Sequence, residues 1–125
     1  MNIKENITSN KVYKSINSQG IKANGFIFLT QVGKDPISGE TEIGFIKQAK
    51  RIMENIKIIL EENDSSLDKV VKVTIYLNDL NKAKDFNEIY YSYFSNPSNR
   101  PVRACIEVSR LSGNIEIETE IIALA

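Results

Sequence analysis

An arginine and a run of glutamates near the C-terminus are the residues of this chain best suited to chemistry. Segments 100–108 and 115–121 both alternate apolar and polar side chains. Alternate residues of a β-strand share one face, so Arg103 and Cys105 would project together, and Glu120 would project with the other glutamates of its strand. A guanidinium is a natural partner for a small carboxylate. A glutamate can hold or activate a water molecule.

The composition limits the chemistry further. The 125 residues include no histidine and one cysteine, which excludes a disulfide within the chain and a thiolate zinc site, and disfavours the usual transition-metal sites. Sixteen basic residues balance sixteen acidic ones, so neither nucleic acid nor a membrane surface is the expected partner. The chain shows no secretory signal and no apolar run of membrane-spanning length, and we expect one cytoplasmic domain over residues 1–125.

The first third of the chain predicts strands. Residues 1–15 are polar and predict an arm or a first edge strand. Strands are predicted over 18–23 and 26–32, and Asn24-Gly25 between them is a strong hairpin signal. The strand over 26–32 is apolar on both faces, so it needs cover on both sides.

After the turn-rich loop at 33–39, the spacing of apolar residues alternates between that of a helix and that of a strand. Apolar residues recur at three- and four-residue steps over 43–62 and predict a helix. The β-branched run 69–77 predicts a strand, and Asp79 is a candidate N-cap for a second helix. The apolar stripe expected on that helix consists of Phe86, Ile89, Tyr90, Tyr93 and Phe94.

Two strands close the chain, and the resulting order β-β-α-β-α-β-β predicts an α+β fold. Its mixed sheet carries both helices on one face. The other face would leave Phe28 or Leu29 exposed in a single copy. Oligomerisation with closed cyclic symmetry is the expected remedy.

Several segments, in order through nearly the whole chain, resemble the reactive intermediate deaminase family, also called RidA or YjgF. The most specific is the Arg-Pro-x-Arg-x-Cys-x-Glu-Val block at 100–108. The other matching segments are residues 22–28, 35–40, 48–49, 54–56, 70–77, 86–90 and 115–118.

This resemblance implies a chorismate-mutase-like fold, a homotrimer and active sites in clefts between subunits. It also implies hydrolysis of reactive enamines and imines, of the 2-iminobutanoate and 2-iminopropanoate type, to 2-keto acids and ammonia without a cofactor. Carried over by position, Arg103 would bind the substrate carboxylate. Glu120 would hold the attacking water, and Cys105 would contribute its backbone carbonyl. Asn87 and Thr30 would line the pocket.

The chain departs from the family pattern at two places beside the implied pocket. Ile16-Asn17 stand where the family commonly has Pro-Tyr, and the segment after Thr30-Gln31 is one residue shorter. A non-catalytic trimer that binds or senses 2-keto acids is therefore the alternative. A ribonuclease or translation inhibitor is a third hypothesis, disfavoured because histidine and a base-stacking platform are absent.

Each candidate residue also has a purely structural interpretation. Arg103 would form a cross-strand ion pair with a glutamate of the last strand. Glu120 would be a surface charge on an edge strand. Cys105 would be a small buried hydrophobic residue, and Asn87 would cap a neighbouring backbone.

Overall fold

The computed structural model describes residues 3–125, which form six β-strands and two α-helices. The strands are β1 (Lys4–Ile7), β2 (Gly20–Ala23), β3 (Phe26–Val32), β4 (Val70–Leu77), β5 (Val102–Glu107) and β6 (Ile117–Leu124). The helices are α1 (Phe45–Glu61) and α2 (Ala83–Tyr93). The predicted order of the elements is confirmed. Of the two predictions for residues 1–15, an arm or a first edge strand, β1 confirms the edge strand. Residues 1 and 2 lie outside the described residues.

The strands form one mixed sheet in the order β1-β2-β3-β6-β4-β5. β4 and β5 are parallel because α2 makes a crossover between them, and the other neighbours are antiparallel. The predicted α+β sheet with both helices on one face is confirmed. The edge-strand interpretation of Glu120 is wrong, because β6 lies inside the sheet between β3 and β4.

Local signals fix the ends of several elements. Asn24 and Gly25 have φ angles of 52° and 83°, the left-handed pair that a type I′ hairpin turn requires. Asp79 accepts a hydrogen bond from the backbone of Asn81 at 3.0 Å, so it caps the short 3-10 turn that leads into α2. The predicted hairpin is therefore confirmed. Asp79 caps the turn before α2 and not α2 itself, whose N-cap is Lys82.

One face of the sheet is buried under the helices and the other is open. Ile27 and Leu29 of β3 lie in the core, whereas Phe28 on the other face is 43% exposed. Val102 and Ile106 of β5 are 67% and 44% exposed. A single copy does not provide the cover that β3 was predicted to need on both sides. We call this second surface the open face, and clustered apolar exposure of this kind marks an interaction surface.

The helices are tied to the loops by a buried amide. Gln48 of α1 donates to the carbonyls of Glu42 and Asn114, both at 3.1 Å, and accepts from the backbone of Glu116 at 2.8 Å. This places the α1 backbone against Gly33, where an added Cβ would lie 2.5 Å from the Gln48 Cα and 2.6 Å from its carbonyl oxygen. Because backbone atoms form the obstacle, a side-chain rotation cannot relieve the contact.

We expect Gly33→Ala to lower the free energy of unfolding by about 3 kcal/mol, the upper part of the usual overpacking range. The matched control is Gly39→Ala, where a Cβ meets open space and only the φ of 73° opposes it. That control should cost about 1 kcal/mol. Urea unfolding of the three proteins checks the prediction, and a Gly33→Ala loss smaller than the Gly39→Ala loss would contradict it.

Candidate active site

Arg103 lies on β5 and faces the helices. Its partner in β4 is Val73, which pairs in turn with Ile121 of β6, and both of these residues are buried beneath the helices. The Arg103 Nη2 donates to Oδ1 of Asn87 at 2.5 Å, and Nη1 donates to the hydroxyl of Tyr91 at 3.4 Å. The structure therefore brings together Arg103 and Asn87, two of the residues predicted to line a pocket.

Aromatic rings of α2 support the Arg103 guanidinium. Its central carbon lies 4.7 Å from the ring centre of Tyr90 and 5.7 Å from that of Phe86. A planar guanidinium stacks well on aromatic faces, which limits its rotation. Burial raises the pKa of Tyr90 to about 12, so this ring stays neutral beside the cation at physiological pH. The predicted core stripe of α2 is thus also the support for Arg103.

Arg103 forms no salt bridge with a carboxylate within residues 3–125. The predicted ion pair with a glutamate of the last strand is wrong because β4 separates β5 from β6. Glu116 pairs with Lys82 instead. The guanidinium of Arg103 is consequently half-buried and contacts only neutral groups. Such a cation is suited to bind an external anion.

Glu120 lies on the open face in the middle of the sheet. It is paired in register with Thr30 of β3 on one side and Thr74 of β4 on the other. The Tyr76 hydroxyl donates to its carboxylate, and this hydrogen bond raises the pKa of Tyr76 above its ordinary value. Thr30 and Glu120 line a groove of about 320 Å³ that also includes Lys72.

Arg103 and Glu120 lie on opposite faces of the sheet. Ala104, the neighbour of Arg103, pairs with Thr74, which pairs with Glu120, so Ala104 shares the open face with Glu120. Arg103 points to the other side. The predicted site residues therefore form two groups in one copy, Arg103 with Asn87 and Glu120 with Thr30.

Cys105 follows Arg103 on the helix-facing side of β5. Its side chain is half-buried and packs against the hydrophobic core, next to Ile75 of β4. This environment matches the interpretation of Cys105 as a small buried hydrophobic residue. The predicted contact through its backbone carbonyl stays a prediction.

The departures at Ile16 and Asn17 lie in a loop beside the groove. Gln19 fixes this loop because its buried amide donates to the carbonyls of residues 9, 12 and 13 at 2.9–3.1 Å. Ser18 and Gln19 line the groove, while Ile16 and Asn17 are exposed. Within one copy, the two departing residues therefore lie on the loop that borders the groove but do not line it.

Sequence reasoning missed two tyrosines that touch the candidate residues. Strand alternation could have indicated Tyr76, since β4 was predicted and Tyr76 shares the face of Thr74. Tyr91 was hidden because it falls outside the apolar stripe of α2. Its position four residues after Asn87 places both on one side of the helix, which was the available signal.

The described part of the chain carries neither a metal-binding cluster nor a membrane-spanning helix. No group of three or more cysteine, aspartate or glutamate side chains within residues 3–125 is arranged to hold a metal ion. Over the same residues, no helix has the length and apolarity that a membrane crossing requires.

This fold and these two groups of residues define a class of small α+β proteins whose single mixed sheet carries both helices on one face. The model of the Endoribonuclease L-PSP family matches residues 9–125. The chain belongs to this family, which is also known as RidA or YjgF. The predicted family membership is thus confirmed.

Individual relatives agree with this assignment. A RutC family protein of Pyrococcus abyssi is 49% identical over 124 residues, which is 96% of each chain. The crystal structure of RidA from an Antarctic Psychrobacter bacterium matches with a TM-score of 0.90 and 32% identity, covering 97% of this chain and 99% of that one. Escherichia coli TdcF, crystallised with bound serine, matches with a TM-score of 0.88 and 28% identity, covering 97% and 98%.

Proposed function

We propose that the protein hydrolyses small 2-imino acids, and the enamines in equilibrium with them, to 2-keto acids and ammonia. The observation that carries the proposal is the environment of the Arg103 guanidinium. This group stacks on Tyr90, donates to Asn87 and has no salt-bridge partner among residues 3–125. A substrate carboxylate supplies the missing charge, and two parallel N–H···O bonds would fix its orientation.

The second half of the proposal concerns assembly. Glu120 and Thr30 are on the opposite face of the sheet from Arg103, so one copy cannot direct both groups at one small molecule. We propose a homotrimer in which Arg103 and Asn87 of one copy face Glu120 and Thr30 of the next. The exposed apolar side chains of the open face, among them Phe28 and Val102, support this arrangement because a neighbouring copy would bury them.

The chemistry requires little beyond orientation. The C=N carbon of an imino acid is already electrophilic, and Arg103 would hold it by the neighbouring carboxylate. Glu120 would accept a proton from water as the C–O bond forms and would return it to nitrogen, which gives a carbinolamine. Glu120 would then take the hydroxyl proton and pass it to the amino group, so that the C–N bond breaks and ammonia leaves as the C=O bond forms. Placing the water and the substrate together can supply about 7–11 kcal/mol in favourable cases.

Tyr76 would assist by fixing the position of Glu120. Its hydroxyl donates to the carboxylate, which leaves the remaining lone pairs of Glu120 for the water. Thr30 stands directly beside Glu120 in register and adds a hydroxyl to the same groove. The serine bound to the TdcF relative is a small 2-amino acid, and its carboxylate and size agree with the ligand class proposed for this chain.

A second candidate function is metabolite binding without turnover. The loop that borders the groove exposes Ile16 and Asn17, and neither of these side chains can act as an acid or a base. In this alternative the trimer would bind a 2-keto acid at Arg103 and release it unchanged. Binding of 2-ketobutyrate without hydrolysis of the imine would favour this function. The cytoplasmic location of either function stays a prediction.

The test generates 2-aminoacrylate or 2-aminocrotonate in situ with a pyridoxal-phosphate dehydratase and follows release of the keto acid. Because these intermediates also hydrolyse in water, the measured quantity is the acceleration on adding the protein. We expect the rate to rise in proportion to the protein concentration. A rate equal to that of the dehydratase alone would contradict the proposed activity.

A further inference from the structure

Tyr91 lies on the opposite side of the Arg103 guanidinium from Asn87. Its hydroxyl is 3.4 Å from Nη1, while Asn87 accepts from Nη2. The two side chains are four residues apart on α2, so one turn of helix carries both. Tyr91 is 39% exposed, which leaves its hydroxyl within reach of a ligand.

Both neighbours of Arg103 keep unused donors. The Tyr91 oxygen accepts from Arg103, and its own proton is donated to no other group within residues 3–125. The Asn87 side-chain NH₂ is likewise not a donor to any of these residues. The Tyr91 O–H and the Asn87 NH₂ are therefore available as donors next to the Arg103 guanidinium. Such a cluster of donors is suited to a carboxylate, which has several lone pairs.

The ring and the hydroxyl of Tyr91 make different kinds of contact. The guanidinium of Arg100 lies 4.4 Å from the ring centre, and its Nε is fixed by the carbonyl of Phe94 at 2.9 Å. The ring therefore lies against both guanidinium groups, with that of Arg103 at 5.6 Å, while the hydroxyl contacts Arg103 alone. Removing only the hydroxyl would leave the stacked ring in place and test the polar contact alone.

We propose that Tyr91 is a further substrate-binding residue, whose hydroxyl donates to the carboxylate held by Arg103. The inference rests on the carboxylate site of the proposed function but not on turnover. Because the phenol oxygen is 3.4 Å from Nη1, a carboxylate oxygen bound to Nη1 would lie beside it, and both groups would donate to the same atom. The carboxylate would then be held by one cation and one neutral donor on the same side.

The test compares Tyr91→Phe with Tyr93→Phe. Tyr93 is two residues away on the same helix, and its hydroxyl donates to Glu54 at 2.8 Å instead of contacting Arg103. Calorimetry with 2-ketobutyrate as the probe measures the dissociation constant without requiring turnover. We expect Tyr91→Phe to raise this constant about tenfold, as for loss of a hydrogen bond to a charged group. Tyr93→Phe should leave it unchanged.

Kinetics provide a second readout that a merely structural role would not give. Tyr91→Phe should raise KM with little change in kcat, because the carboxylate contact is the same in the ground state and the transition state. Wild-type affinity in Tyr91→Phe would overturn this inference while the proposed function stands. No binding of 2-ketobutyrate by the wild type would overturn this inference, and no imine hydrolysis would overturn the proposed function.

Discussion

Arg103→Ala is expected to lower kcat/KM for 2-imino acids by about 10²–10⁴, since two charge-assisted hydrogen bonds to the carboxylate are lost. Arg103→Lys keeps the charge but loses the planar guanidinium. Its activity should fall between that of the wild type and that of Arg103→Ala. The coupled dehydratase assay measures the effect. A large loss is expected because the carboxylate contact both binds the substrate and orients its C=N carbon.

The control for this prediction is Arg110→Ala. Arg110 is an exposed arginine of the loop that follows β5, and it contacts neither Asn87 nor Tyr91. Its replacement should leave kcat/KM unchanged. Arg103→Ala should still unfold in one cooperative thermal transition, because the variant loses contacts with α2 but no salt bridge within residues 3–125. An Arg103→Ala protein that folds and retains wild-type activity would show that this arginine is not the carboxylate site.

Ile106→Glu is expected to separate the copies and to abolish activity with them. Ile106 lies on the open face and is 44% exposed in one copy, so a charge there is tolerated by the isolated fold. Burying that carboxylate against another copy without a partner is costly. Light scattering should report a mass of one copy for the variant and three for the wild type.

A matched control uses the same substitution on another exposed isoleucine. Ile37 is 96% exposed in the turn after Asp35, outside the strands that form the open face. Ile37→Glu should retain both the trimer mass and the activity. A wild-type protein that is already monomeric, or an Ile106→Glu monomer with full activity, would contradict the intersubunit arrangement.

Local sequence patterns predicted the elements better than their arrangement. The bounds of β3 and the Asn24-Gly25 hairpin follow from alternation and from residues that tolerate positive φ. The α1 helix runs over Phe45–Glu61, within the predicted range of 43–62. The bounds of helices, strands and turns depend on residues that are close in sequence. Hydrophobic periodicity detects these features because it is itself a pattern of nearby residues.

Strand order and the open face depended on interactions between distant residues. The alternation in segment 115–121 does not indicate that β6 is inserted between β3 and β4. A surface charge on an edge strand was therefore the structural interpretation that the sequence allowed for Glu120. In β5 the apolar Val102 and Ile106 face outwards and Arg103 faces the helices. Periodicity identifies two faces of a strand, but a second copy decides whether an apolar face is finally buried.

The most direct test of the intersubunit site mixes two inactive variants. Arg103→Ala keeps Glu120, and Glu120→Gln keeps Arg103, so a working pair can form only between unlike copies. Random assembly of a cyclic trimer from equal amounts should place such a pair in about one quarter of the sites. We expect co-refolded variants to recover about one quarter of the wild-type activity in the coupled assay, although each alone is nearly inactive. A mixed trimer that stays as inactive as its parents would contradict a site made by Arg103 of one copy and Glu120 of the next.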